Sequence, residues 1–122
     1  MKIRIKGNSV RLRLSKPEVE KLSIENPLQE HSYFASNTFS YVLKVVTNGS
    51  DLGVDFEHGT ITMTVPGSLI KDWPKNEIVG FNTTIETPGR EPLKLVLEKD
   101  FKCLDNSTED QTDNYVNPNQ IC

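Results

Sequence analysis

Cysteine is scarce, with Cys103 and Cys122 the only two in 122 residues. Two thiols cannot build a disulfide framework, and so little cysteine fits a reducing compartment. No apolar run approaches the roughly 18 residues of a membrane-spanning helix. The opening Met1-Lys2-Ile3-Arg4-Ile5-Lys6 lacks the apolar stretch of a secretory leader. The expectation is a cytoplasmic protein with no membrane partner. On that expectation the Asn-x-Ser/Thr triplets at Asn48, Asn82 and Asn106 are chance matches in polar loops. A Walker loop, a dinucleotide fingerprint and a His-Glu-x-x-His motif are all missing, so no motif announces an enzyme.

Charge of one sign is missing from each end. The first 16 residues hold Lys2, Arg4, Lys6, Arg11, Arg13 and Lys16 and no acid. The segment after Asp105 holds Glu109, Asp110 and Asp113 and no base. The whole chain has a net charge of -3, so everything beyond the first 16 residues carries -9.

What remains is ordinary for a soluble globular domain, with 35% hydrophobic and 25% charged residues. The length fits one domain. Ile3 and Ile5 alternate with Lys2, Arg4 and Lys6, and Val10, Leu12 and Leu14 alternate with Arg11 and Arg13. Both runs have the period of a strand. Gly7-Asn8 between them is turn chemistry, so a tight hairpin is expected. Pairing Lys6 with Ser9 sets Ile5 opposite Val10 and Ile3 opposite Leu12, and both strands then agree on the buried side. The same register gathers Lys2, Arg4, Lys6, Arg11 and Arg13 on one face. Like charges across a strand pair repel, so this face calls for an acidic strand, a partner or an anion.

Ser15-Lys16-Pro17-Glu18 reads as a helix start, with Ser15 as the cap and Glu18 completing a capping box. Val19 and Leu22 would point inward. Further strands are expected at 30–34, 37–46, 52–56, 61–65, 78–85 and 93–97, with a short helix over 68–73 stopped by Pro74. The expected class is mainly β (α+β), a small barrel-like or sandwich domain with two short helices over residues 1–104. The polar, acidic stretch 105–122 reads as a loose or peripherally docked tail. Shifting the sequence by 51 residues lays Val10–Leu22 on Ile61–Trp73, strand positions on strand positions and helix positions on helix positions. Two pseudo-repeated strand–helix units would produce this. So would any two strand-then-helix segments, because few residues are identical.

Met1–Ser15 and the later Leu97-Glu-Lys-Asp-Phe-Lys-Cys-Leu-Asp105 resemble a family of small conserved bacterial proteins of unknown function. That resemblance covers nearly the whole chain and implies no activity, ligand or catalytic residue. Gly7-Asn8-Ser9, the alternating strand after it and Ser15-Lys-Pro-Glu-Val-Glu are similar to the DNA-binding half of swapped-hairpin antitoxins and transition-state regulators. Those proteins bind DNA as dimers through basic strands of this kind. This chain is more than twice as long as that module, with a long middle strand pair and an acidic tail.

His31, His58, Cys103 and Cys122 are the soft-metal candidates. A tetrahedral zinc site needs four such groups to converge, and their spacing forms no compact motif, so no metal or other cofactor is expected. Asp55 and Glu57 share a strand face and could approach the basic hairpin as structural ion pairs. The reading is a non-enzymatic binding or structural protein. It would contact an acidic protein, or its own acidic tail, through Lys2, Arg4, Lys6, Arg11 and Arg13. The alternatives are a nucleic-acid-binding protein, and a small enzyme or zinc protein using the His and Cys residues. A homodimer is left open.

Overall fold

The structure, a computed structural model, describes residues 1–101. The expected tail, 105–122, and Cys103 lie outside the described residues. Eight strands form two open four-stranded sheets that do not close into a barrel. The chain runs β1 (Lys2–Lys6), β2 (Ser9–Leu14), α1 (Lys16–Lys21), β3 (Leu28–Tyr33) and β4 (Thr38–Val46). It repeats the plan with β5 (Gly53–Glu57), β6 (Thr60–Pro66), α2 (Gly67–Ile70), a 3-10 turn at Trp73–Lys75, β7 (Gly80–Ile85) and β8 (Leu93–Lys99).

The first sheet has the order β1-β2-β8-β7, and the second, read from its matching edge, has β5-β6-β4-β3. Each sheet therefore joins a hairpin from one half of the chain to a strand pair from the other. Neighbours within a half are antiparallel. The central contacts, β2 with β8 and β4 with β6, are parallel and link the halves. The registers correspond: Leu12 opposite Leu97 in the first sheet matches Met63 opposite Leu43 in the second. A hydrogen bond at each hairpin turn matches as well. Lys94 N–H donates to Asn8 O at 3.0 Å, and Ser40 N–H to Gly59 O at 2.9 Å. The internal echo is thus a repeat of architecture with exchanged hairpins.

Local chemistry explains the elements. The β1–β2 register is the expected one, Lys6 with Ser9 through to Lys2 with Arg13. Gly7 at φ +53° supplies the turn conformation that a two-residue hairpin demands. In the matching turn both His58 and Gly59 have positive φ. Ser15 caps α1, and Glu18 closes the capping box by accepting from the Ser15 backbone at 2.9 Å. The second helix is shorter than expected. It begins at Gly67 without a side-chain cap bond and gives way to the 3-10 turn containing Pro74. Trp73 still does what Leu22 does in the first half: it is fully buried, and its indole N–H donates to Ile78 O at 2.8 Å.

The inward residues of the four central strands make the core. Leu12, Leu14, Leu43, Met63, Val65, Leu95 and Leu97 are all fully buried. Ile5 is 53% exposed, and Phe56, whose alternation with Gly53 and Asp55 beside Leu52 and Val54 leads one to expect it in the core as well, is 65% exposed. They occupy equivalent places near the two hairpin tips, on edge strands at the margin of the core.

Candidate functional site: the basic face of the first sheet

Alternation along β1 and β2 turns Lys2, Arg4, Lys6, Arg11 and Arg13 to the outer face. All five expected residues are brought together. Across the parallel contact, β8 adds Lys94 and Glu98 to that face. Alternate residues on a strand stand about 6.7 Å apart and neighbouring strands about 4.8 Å, so the cations form a two-dimensional grid on a rigid backbone.

The grid is partly compensated from within. Glu98 Oε1 accepts from Arg13 Nε at 2.8 Å and lies 3.4 Å from Arg11 Nη1. Lys2 Nζ is 2.8 Å from Asp100 Oδ2. Arg4 is also engaged in an interaction. Lys6 and Lys94 are exposed. Lys2, Arg11 and Arg13 thus meet two carboxylates, Glu98 and Asp100, and among the described residues cations outnumber carboxylates on this face. Residues 1–101 as a whole hold equal numbers of acids and bases, so this excess is a local polarisation.

Asp55 and Glu57 do not supply the compensating charge. They stand on the outer face of the second sheet, beside Thr60, Thr62 and Thr64 of β6. His31 lies on that face too, its Nδ1 2.7 Å from Ser40 Oγ, while His58 sits in the hairpin turn. Among the described residues no group of three His, Cys, Asp or Glu side chains could hold a metal ion. Cys103 and Cys122 fall outside the described residues.

A second charged cluster escaped the sequence reading. The Met1 α-amino group lies 2.5 Å from Glu18 Oε2 and 3.3 Å from Glu30 Oε2, and the Tyr41 hydroxyl donates to Met1 O at 3.1 Å. Burial pushes the α-amino pKa down, but hydrogen bonds to Glu18 and Glu30 outweigh it and hold the pKa above its ordinary value. Burial pushes Glu18 up, but its bonds to the α-amino group and to Ser15 outweigh that and hold it low. Burial, then the nearby Glu30 and Glu18 charges, raises Tyr41. This cluster ties the start of β1 to α1, β3 and β4. A cleft of about 270 Å³ between β2, α1 and the 3-10 turn is lined by Leu14, Lys16, Val19, Glu20, Pro74 and Phe101.

No described helix is long and apolar enough to cross a membrane. The fold and site define a small β-rich protein with one polarised sheet face. The chain belongs to a family described as a family of unknown function (DUF7009), whose model matches residues 1–119. No curated protein and no solved structure matches it.

Proposed function

We propose that the protein is a non-enzymatic binding protein that docks an acidic partner on the outer face of the first sheet. The observation behind this is the grid of Lys2, Arg4, Lys6, Arg11, Arg13 and Lys94 held on one sheet face, with Glu98 and Asp100 beside Lys2, Arg11 and Arg13. A fixed row of like charges raises the local concentration of an oppositely charged surface and speeds its encounter. The backbone beneath these side chains is already fixed in the sheet, so little backbone freedom is lost on binding. The chain has an acidic segment of its own, Asp105, Glu109, Asp110 and Asp113. Amide exchange at low and high salt tests whether that segment competes for the face. The docking experiment is a low-salt titration with poly-glutamate, repeated with Arg4→Glu and Arg11→Glu together. Binding by the parent and loss in the variant support the reading; no binding by the parent removes it.

A second reading is a nucleic-acid phosphate backbone. The exchange of hairpins between halves favours it, because swapped-hairpin regulators are named for such an exchange and bind DNA through basic strands. Phosphate contacts release condensed counterions, so that binding falls steeply and linearly on a double-logarithmic salt plot. Mixed duplex DNA and RNA in the same titration separate the two partners.

A further inference from the structure

The two outer sheet faces share one backbone plan and carry opposite charges. Displaced by 51 residues, Arg4 and Lys6 of the first hairpin correspond to Asp55 and Glu57 of the second. Lys2, Arg11 and Arg13 correspond to Gly53, Thr62 and Thr64, none of them charged. In the partner strands Glu98 of β8 corresponds to Lys44 of β4. Where the first sheet is basic, the second is acidic or neutral. Where the first carries its central carboxylate, the second carries an ammonium.

We propose that the acidic partner of the basic face is a second copy of this chain, presenting the outer face of its second sheet. The inference rests on the docking reading above and names its partner. Arg4, Lys6, Asp55, Glu57 and Lys44 are all exposed. The acidic pair and Lys44 hold the same relative positions on one face as the basic pair and Glu98 on the other. Turning one face over about the line joining those two points leaves both points in place. Asp55 and Glu57 then meet Arg4 and Lys6 while Lys44 meets Glu98. Both attractions are satisfied in one orientation, whereas two copies of the basic face repel each other. The contact joins unlike faces and is therefore heterologous. Each added copy leaves one face of each kind open, and the assembly grows as a ring or a filament rather than stopping at a symmetric dimer.

Sedimentation velocity of the full chain at about 0.01 M and about 1 M salt tests this, because the screening length falls from about 30 Å to about 3 Å. The expected result is concentration-dependent association at low salt and monomer at high salt. Asp55→Lys with Glu57→Lys, or Arg4→Glu with Lys6→Glu, should each weaken self-association at least about tenfold, as close charge pairs do. Mixing the two double variants should restore association, which a folding defect in either would prevent. A parent that stays monomeric at low salt, or whose association neither double variant alters, overturns self-docking. The poly-glutamate titration then separates the two failures. If the monomeric parent binds poly-glutamate, the docking face stands and its partner is not a second copy. If it binds neither, both readings fall.

Discussion

Leu12 and Met63 stand 51 residues apart and occupy the same place in two sheets of one plan, each fully buried and each paired across a parallel contact with a leucine of the other half. Neither half can complete a sheet from its own strands. Residues 1–50 and 51–122, made separately, should therefore lack a cooperative monomeric melt and should recover β-sheet circular dichroism on mixing. A single half that melts cooperatively as a monomer would contradict the exchanged-hairpin plan.

Core positions should separate from hairpin-tip positions by their cost. Leu12→Ala and Met63→Ala each remove a fully buried side chain and should cost about 2–5 kcal/mol. Ile5→Ala and Phe56→Ala act on half-exposed side chains and should each cost less than about 1.5 kcal/mol. Chemical denaturation measures all four. A loss below about 0.5 kcal/mol at both core positions would contradict the assigned faces.

The Met1–Glu18 pair should shape stability at both ends of the pH range. Glu18 is held below its ordinary 4.5, so its contribution is complete above that value and is lost as pH falls through the lowered folded pKa. The α-amino group is held above its ordinary 8.0, so its contribution is complete below that value and is lost as pH rises through the raised folded pKa. Melting temperatures of parent and Glu18→Gln across this range should differ most between the two values and converge beyond them. A constant difference at every pH would contradict the pairing.

Glu98 restrains the basic face as well as stabilising it. In Glu98→Gln, Arg11 and Arg13 lose the carboxylate between them, and the face gains one unit of positive charge. The loss of stability should be small, about 1 kcal/mol or less, as for partly exposed ion pairs. Affinity for poly-glutamate should rise several-fold and its salt dependence should steepen. Unchanged affinity in a folded variant would show that this face is not the one that binds.

Elements governed by neighbouring residues were legible in the sequence, and pairings between distant segments were not. The β1–β2 register could be read because two strands of period two, joined by Gly7-Asn8, agree on a buried side in one alignment. Ser15 and Glu18 announced α1 because a capping box is a three-residue spacing. Nothing in a strand's own pattern says which distant strand lies beside it, so the parallel pairing of β2 with β8 was hidden. Glu98 and Asp100 were missed with it, and Asp55 and Glu57 were offered in their place. Alternation also sent Ile5 and Phe56 inward. Their side of the strand does face inward, but both stand near the hairpin tips at the margin of the core. The Met1 cluster was hidden for the same reason, since Glu30 and Tyr41 approach Met1 only through tertiary packing.

The central claim is that the outer face of the first sheet is the contact surface, and amide exchange mapped residue by residue with and without poly-glutamate at low salt tests it most directly. With the protein held dilute enough to be monomeric, the account predicts slowed exchange concentrated in β1, β2 and β8, around Arg4, Arg11 and Lys94, with the Thr60–Thr64 face unchanged. Slowed exchange confined to β5 and β6, or none in the first sheet under saturating poly-glutamate, would contradict it.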